Sequence, residues 1–229
     1  FCSITGFGAT GPYKHLAGYD YIIQAMSGLM SITGSEESGP TKVGVAIADV
    51  LTGLYAVIGI LGALNERNRS GEGQSLDLAL FDAQISALVN VASNYLVSGN
   101  IPQRLGNQHP NIVPYQTFET MDGEMVVAVG NDGQFQRFCS LIGLEDLPKD
   151  ERFRTNSKRL ENRETLIPIL AEKMKTKTSK QWLMILNEGG IPCGPINNMK
   201  ELFQEKQVEA REMYTELAHP KAGTVPLVG

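Results

Sequence analysis

A long apolar stretch that holds one carboxylate near its start constrains this chain more than any other feature. From residue 43 to residue 65 the only charged side chain is that of Asp49. Residues 43–48 predict a buried strand or extended segment, and residues 50–64 predict a helix that is apolar on nearly every side, which is typical of a protein core. The pattern therefore places Asp49 at the N-cap of a core helix, inside the protein.

Two interpretations of Asp49 are open on spacing alone. Asp is a good N-cap residue because its carboxylate accepts hydrogen bonds from the free N–H groups of the first helical turn. A carboxylate at a helix N-terminus also stays ionised and has a fixed direction, which a nucleophile needs. Gly44, Gly53 and Gly59 flank Asp49 and permit the close approach of a ligand or of another backbone.

Composition and charge exclude several classes of protein. The 229 residues are 42% hydrophobic, enough for a sizeable core in one large or two small domains. The net charge of -5 and the scattered positive charges predict no nucleic-acid partner. The apolar run 50–64 is shorter than the roughly 20 residues that a bilayer span needs, and no signal peptide begins the chain. We therefore expect no membrane partner and a cytoplasmic location, or the mitochondrial matrix in a eukaryote.

The cysteines and histidines are too scattered for a metal site. Cys2, Cys139 and Cys193 form neither a disulfide framework nor a CxxC pair, and no two of the three His fall at helical spacing beside a carboxylate or Cys. The sequence predicts buried, reduced thiols and no metal.

The run Gly6-x-Gly8-x-x-Gly11 matches a dinucleotide-binding fingerprint. It follows a short apolar strand, but no apolar helical periodicity begins until residue 21, and the fingerprint counts only between a strand and a helix. We expect a glycine-rich loop here and no dinucleotide site.

Before residue 100 the predicted elements alternate between helix and strand. Apolar residues at helical spacing indicate helices over 21–32 and 50–64, and residues 75–81 alternate as a strand. A helix of about fifteen residues follows, capped by Asp82 and closed by Gly99. This succession predicts α/β architecture over residues 1–100.

The second part of the chain has a different order of elements. Residues 101–112 are rich in Pro, Asn, Gln and Gly and predict a linker. A β-hairpin over 113–120 and 124–130, then helices over 135–142, 163–175 and 180–188, make residues 113–198 a small α+β domain. Trp182 is predicted in its core, and the charges over 149–163 on a solvated face. Residues 199–212 predict a further helix.

The two ends of the sequence both fall beside strand-like segments. The chain begins at Phe1 inside one such segment, without an initiator Met, and stops at Gly229 directly after another. We therefore expect an internal part of a longer chain, and no stable monomer from these residues alone.

Several short motifs in one order resemble the family III CoA-transferases, the group that includes carnitine CoA-transferase and the bile-acid-inducible F protein. The likeness extends over essentially the whole chain and includes the Asp49 segment. The other motifs are SITGFG (3–8), GPY (11–13), AGYD (17–20), QAMSGLM (24–30), GEGQ (71–74), GNQHP (106–110), DG (122–123) and IPCGPINN (191–198).

This resemblance implies a fold and an assembly. Residues 1–100 would be part of a Rossmann-like large domain whose missing N-terminal half supplies much of the CoA pocket. Residues 199–229 would return from the small domain to the large one. The whole protein would be an interlocked homodimer.

The resemblance also implies an activity with Asp49 as nucleophile. A donor acyl-CoA forms a mixed anhydride with the Asp, CoA thiolate converts it to an aspartyl-CoA thioester, and an acceptor acid reverses the steps. The substrates are an acyl-CoA and a small carboxylic acid, and no cofactor is bound permanently. Tyr19 and Asp20 match positions that line the CoA thioester region, although spacing alone equally favours a Tyr that packs beside an N-cap Asp. A mobile loop carrying Asn107, Gln108 and His109 would exclude water.

The motif at 106–115 favours one branch of the family. It resembles the glutarate and hydroxymethylglutarate transferases that use succinyl-CoA, whereas formyl-CoA transferases carry a glycine run there. His109 could hydrogen-bond an acyl carboxylate, although a lone loop His is more often structural.

Two alternatives remain open. An α-methylacyl-CoA racemase shares the fold and keeps an Asp at the position of Asp49, but those enzymes have a His where Tyr19 stands, and a Tyr with a reference pKa near 10 is a poor acid–base partner. A non-enzymatic binding module would leave Asp49 with a capping role only.

Overall fold

A parallel pair of strands and a long helix between them organise the first part of the computed structural model, in which all 229 residues are described. The residues divide into two units, 1–107 and 108–229. The division falls inside the predicted linker 101–112, and the predicted roles of the segments on either side stay predictions. Each unit is described by itself below.

In the first unit, a crossover of helices joins the two strands. Strand β1 (Cys2–Thr5) pairs in parallel with β2 (Leu76–Ala79), with Cys2 opposite Leu76. Between them lie α1 (Asp20–Met26), α2 (Leu29–Ile32) and α3 (Ile47–Ser70), and after β2 come α4 (Leu80–Ser86) and α5 (Val89–Ser98). Parallel strands joined by helices confirm the predicted α/β architecture.

The long helix α3 differs from its prediction at both ends and in its burial. It begins earlier and ends later than residues 50–64, and its N-cap is Ala46, not Asp49. Residues 43–46 form no strand. Because only Ala48, Thr52 and Ala56 are buried, one narrow stripe at a spacing of four residues packs inward.

The outer face of α3 is apolar and open in this chain. Leu54, Ile58 and Leu61 are 58%, 66% and 60% exposed. The prediction of a helix buried on all sides is therefore wrong for these residues, because the described chain supplies neighbours on one side only.

The length of α3 also corrects the sequence argument about membranes. The helix has 24 residues, and by length and composition alone it could cross a membrane. A mostly buried core helix of a soluble protein passes the same test, whereas 17% of the most apolar stretch of α3 is buried in this chain. Helix α3 packs against α1, α4 and both strands. The length of the apolar run, fifteen residues, therefore underestimates the length of the helix.

Two helices that the sequence predicts as continuous are interrupted. The predicted helix 21–32 breaks between α1 and α2 because Gly28 has φ 91°, a left-handed conformation that ends helices. The helix predicted after Asp82 begins at Leu80 instead and breaks before Val89, which has φ 34°. Gly99 closes α5 as predicted.

The second unit is built on a three-stranded antiparallel sheet. Strands β3 (Tyr115–Glu119) and β4 (Glu124–Ala128) form the predicted hairpin, and β5 (Cys193–Pro195) pairs with the other edge of β4. The helices that follow β4 are α6 (Asp132–Leu141), α7 (Asn156–Glu161), α8 (Arg163–Met174) and α9 (Ser179–Glu188), with a 3-10 turn at Leu147–Lys149.

A single hydrophobic cluster fills this unit. Trp182 is fully buried, as predicted, and its indole N–H donates to the carbonyl of Met174 at 2.7 Å. Burial raises the pKa of the Cys139 thiol to about 12. Cys2 and Cys193 are only partly buried, so the prediction of buried thiols holds for Cys139 alone.

The predicted solvated face over 149–163 contains a fully buried Arg159. Its guanidinium donates to the carbonyls of Val113 (2.7 Å) and Phe153 (3.1 Å) and to the carboxylate of Asp132 (2.9 Å). It also lies over the ring of Phe135, 4.3 Å from the centroid. The prediction is wrong for this residue because α7 turns it inward.

The last thirty residues form two short helices and a hairpin. The predicted helix 199–212 is split into α10 (Met199–Leu202) and α11 (Lys206–Ala210), because Glu205 takes an extended conformation between them. Strands β6 (Tyr214–His219) and β7 (Gly223–Val228) then pair antiparallel and are largely exposed. In this chain they group with the second unit, and their return to the large domain stays a prediction.

Candidate active site

The glycine-rich loop after β1 folds back on itself and ends next to Tyr19. Gly6 and Gly18 touch through their backbones, because a Cβ on Gly6 would lie 2.5 Å from the Cα of Gly18. The N–H of Ala9 donates to the carboxylate of Asp77 at 2.9 Å, which pins the middle of the loop. No helix follows Gly11, so the dinucleotide fingerprint lacks its required context.

Asp20, at the start of α1, caps the long helix α3. Its Oδ1 accepts a hydrogen bond from the backbone N–H of Ala48 at 2.9 Å. Its Oδ2 accepts from the side-chain amide of Gln24 at 2.8 Å. Because N–H groups in the first turn of a helix have no partner within the helix, a carboxylate from elsewhere in the chain can satisfy one of them.

Gln24 extends this clamp to the segment that leads into α3. It is buried, its Oε1 accepts from the backbone N–H of Val43 at 2.9 Å, and its Nε2 also donates to the carbonyl of Val45 at 3.3 Å. Asp20 and Gln24 together hold residues 43–48 in place. They thereby fix the position of the next residue, Asp49, in the first turn of α3.

Asp49 itself is exposed and unengaged. It lies in the first turn of α3, and its carboxylate makes no hydrogen bond or ion pair in the structure. The capping interpretation of Asp49 is therefore wrong, since Asp20 does the capping. What remains is an exposed carboxylate in the first turn of α3, at the helix end whose dipole favours negative charge.

Tyr19 and Asn107 are the other two predicted site residues of the first unit. Tyr19 precedes α1 and is 78% exposed, so its ring is available to a ligand. Asn107 is exposed at the last position of this unit. Neither is brought to Asp49 by a hydrogen bond to its carboxylate.

Replacing Asp20 with Ala should loosen the start of α3. Loss of a capping carboxylate costs about 1 kcal/mol, typically 0.5–2 kcal/mol, in free energy of unfolding. Hydrogen–deuterium exchange should rise in the peptide that contains Ala48 and Asp49, and activity should fall with it. Asp82→Ala is the matched control, since Asp82 is also in a first helical turn but makes no hydrogen bond; equal exchange in both variants would contradict the assigned role.

Gln108 and His109, in the second unit, are held together by Arg163. The guanidinium donates to Oε1 of Gln108 at 2.7 Å and to the carbonyl of His109 at 2.6 Å. The backbone N–H of His109 donates to the carbonyl of Tyr115 at 3.0 Å, and the two rings lie 5.1 Å apart. Both residues are half-buried.

The following residues of the loop are tethered by α7. The side chain of Asn156 donates to the carbonyl of Asn111 at 2.8 Å and accepts from the N–H of Val113 at 3.1 Å. Together with the bond from Arg159 to Val113, this holds residues 108–113 against α7 and α8. The loop that the sequence predicts as mobile is thus fastened at several points from Gln108 onward.

Sequence reasoning missed Arg159 and Arg163, although a local signal exists. The exposed Lys158 has an acid three residues away, and Arg154 likewise pairs with Glu151. Arg159 and Arg163 have no acid at a spacing of three or four residues. A cation without such a local partner on a helix is a candidate for a distant one.

The structure contains no group of three or more His, Cys, Asp or Glu side chains that could hold a metal ion. In the first unit, the group available for chemistry is the exposed Asp49 carboxylate. The fold and site together define an α/β protein with a free carboxylate at the start of its longest helix.

Comparison with known proteins gives the family. The model of CoA-transferase family III matches residues 1–229, and the chain belongs to this family. This confirms the resemblance on which the sequence predictions of the site residues depend.

Named relatives fall in the expected branch. The chain is 46% identical over 226 residues to succinate–glutarate CoA-transferase of Agrobacterium fabrum, covering 99% of this chain and 56% of that protein. It is 42% identical over 229 residues to human succinyl-CoA:glutarate CoA-transferase, covering 100% of this chain and 52% of that protein. Succinyl-CoA:mesaconate CoA-transferase of Haloarcula hispanica is 37% identical over 227 residues, covering 97% of this chain and 56% of that protein. The chain spans about half the length of these relatives.

Solved structures agree on the fold. A CAIB/BAIF family protein from Brucella suis superposes with a TM-score of 0.79 at 47% identity, covering 98% of this chain and 62% of that one. Rv3272 from Mycobacterium tuberculosis superposes with a TM-score of 0.87 at 23% identity, covering 100% of this chain and 60% of that one. At this identity the likeness shows the fold alone.

Proposed function

We propose that the whole protein transfers coenzyme A from an acyl-CoA, succinyl-CoA in the first instance, to a dicarboxylic acid. The observation that carries the proposal is the state of Asp49: an exposed carboxylate at a helix N-terminus that the fold positions through Asp20 but does not use. The names of the relatives support the substrates, since those proteins are called succinate–glutarate, succinyl-CoA:glutarate and succinyl-CoA:mesaconate CoA-transferases.

The reaction begins with attack of an Asp49 carboxylate oxygen on the thioester carbonyl carbon. The C–S bond breaks, CoA leaves as thiolate, and a mixed anhydride joins the acyl group to Asp49. The thiolate then attacks the Asp49 carbonyl carbon, which releases the donor acid and leaves an aspartyl-CoA thioester. The free energy of the thioester bond is thus retained in an anhydride or a thioester at every stage.

The acceptor acid runs the same two steps in reverse. Its carboxylate attacks the aspartyl-CoA carbonyl and expels the thiolate, and the thiolate attacks the acceptor acyl carbon of the new anhydride. The products are the acceptor acyl-CoA and a free Asp49 carboxylate. Each bond that breaks is matched by one that forms, so the chemistry needs the CoA thioester as substrate and no permanently bound cofactor.

The other site residues are assigned supporting roles. Tyr19, Asn107, Gln108 and His109 contact the CoA thioester or the acyl group. Both carboxylate oxygens of Asp20 are already hydrogen-bonded within the fold. Its part in the reaction is therefore to position the segment that carries Asp49.

The proposed assembly is a homodimer. The outer face of α3, with Leu54, Ile58 and Leu61 largely exposed, is an apolar surface of the kind that soluble proteins cover. In the whole protein we place the rest of the chain and the second subunit over the exposed surfaces of this chain. Size-exclusion chromatography with light scattering on the full-length protein should give twice the chain mass.

A CoA-exchange assay tests the proposal. The full-length protein should convert succinyl-CoA and glutarate, 3-hydroxy-3-methylglutarate or mesaconate to the corresponding acyl-CoA, followed by liquid chromatography and mass spectrometry. Oxalate and formate should be poor acceptors. Release of free CoA without a new acyl-CoA, or no reaction with any dicarboxylate, would count against transferase activity.

A further inference from the structure

Arg163 determines which atoms of the loop 108–109 face outward. A guanidinium can only donate hydrogen bonds, so every group that it contacts must present an acceptor. It takes Oε1 of Gln108 and the carbonyl oxygen of His109. The side-chain oxygen of Gln108 is thereby used by Arg163, and its NH2 group remains as a donor. That NH2 group makes no hydrogen bond in the structure.

The ring of His109 is oriented by a different group, the backbone N–H of Asn111. Its Nδ1 accepts a hydrogen bond from the backbone N–H of Asn111 at 3.1 Å, so in the neutral ring the proton is on Nε2. Nε2 makes no hydrogen bond within the chain. The ring lies 5.1 Å from that of Tyr115, and the backbone of His109 is held by its hydrogen bonds to Tyr115 and Arg163.

From this geometry we infer that Gln108 and His109 form a pair of N–H donors for the second, non-reacting carboxylate of a dicarboxylic acyl group. Arg163 is the positioning residue, since it orients the Gln108 amide and holds the backbone of His109, whereas the N–H of Asn111 orients the His109 ring. This inference rests on the proposed function and specifies its substrate class. Two N–H donors beside the Arg163 guanidinium match an anionic, two-oxygen ligand, because hydrogen bonds to an anion are stronger than those between neutral groups and the positive charge favours the anion. A monocarboxylic acyl group of the same length would leave both donors unpaired.

The test compares two acceptors that differ in that carboxylate only. With the full-length enzyme and succinyl-CoA as donor, kcat/KM is measured for glutarate and for pentanoate. Gln108→Glu keeps an oxygen for Arg163 but replaces the outward NH2 by an acceptor oxygen. We expect it to lower kcat/KM for glutarate tenfold or more, the effect of losing about one hydrogen bond to a charged group, and to lower kcat/KM for pentanoate by a smaller factor, so that the ratio of the two values falls.

Arg163→Met should shift the ratio of the two kcat/KM values in the same direction. Arg154→Met is the control and should leave the ratio unchanged, since Arg154 is exposed and pairs with Glu151 alone. A parallel fall for both acceptors in Gln108→Glu and Arg163→Met would show a merely structural role and overturn the inference. If Arg163→Met does not fold, Gln108→Glu decides alone, because its contact with Arg163 is retained.

Direct binding separates this inference from the transfer chemistry. Calorimetric titration of the CoA-saturated wild-type enzyme should show tighter binding of glutarate than of pentanoate, with the difference lost in Gln108→Glu. If the enzyme shows this binding difference but forms no Asp49 adduct, the proposed carboxylate site is supported and the proposed reaction is contradicted. Equal binding of both acids would overturn the site whatever the activity.

Discussion

Asp49→Asn should abolish CoA transfer while leaving the fold intact. Removal of a covalent nucleophile lowers kcat by roughly 10⁴-fold or more in enzymes that depend on one. The fold should tolerate the change because the Asp49 carboxylate is exposed and makes no hydrogen bond, and the free energy of unfolding should change by less than about 0.5 kcal/mol, as for other surface substitutions. This combination of lost activity and kept stability is what a reacting side chain shows.

The covalent intermediate gives a direct readout of the same prediction. Incubating the full-length enzyme with succinyl-CoA and then hydroxylamine should convert Asp49 to a hydroxamate, because the activated aspartyl carbonyl is captured by the stronger nucleophile. Peptide mass spectrometry locates the change. Asp82→Asn, also at an exposed first-turn aspartate, is the matched control and should keep both adduct and activity. Near-normal transfer by Asp49→Asn would falsify the mechanism.

Arg159→Met should cause the largest loss of stability in the second unit. The substitution leaves the carbonyls of Val113 and Phe153 without their donor, and each orphaned buried acceptor costs about 1–3 kcal/mol. Asp132 is 49% exposed and can return to water, so its lost ion pair adds little. We expect a loss of about 3 kcal/mol, the sum for two acceptors at the lower part of that range.

Chemical denaturation of the full-length protein measures this loss as a lower urea midpoint. Arg154→Met removes a neighbouring arginine that is 63% exposed, and its midpoint should move little. Similar midpoints for the two variants would mean that the buried network around Arg159 does not stabilise the unit. Because Arg159 also holds Val113, at the end of the loop from Gln108, the glutarate preference should weaken in Arg159→Met as well.

The periodic parts of the chain could be predicted from the sequence because their signals are local. The α/β order of the first unit, the hairpin β3–β4 and the burial of Trp182 follow from apolar spacing and turn residues within a few positions. The breaks at Gly28 and before Val89 depend on single backbone conformations, which apolar spacing does not report.

The candidate site divides in the same way. Asp49 could be selected from the sequence because it is the one charge in a long apolar run and matches a family motif. The prediction that Asp49 caps the helix was wrong, because the capping carboxylate belongs to Asp20, which lies 28 residues before Ala48 and reaches the N–H of Ala48 only through tertiary folding. The same holds for Arg163, whose partners are 54 and 55 residues away.

The sequence by itself determined the family, the class of fold and the residue that carries the proposed chemistry, since these depend on residue types at short spacing. The tertiary structure alone decided which groups are free to react. A hydrogen bond between distant residues leaves no periodic signal, yet it decides whether a carboxylate caps a helix or stays available, and whether an amide presents its oxygen or its nitrogen. For Asp49 and Gln108, that decision is made by Asp20 and Arg163.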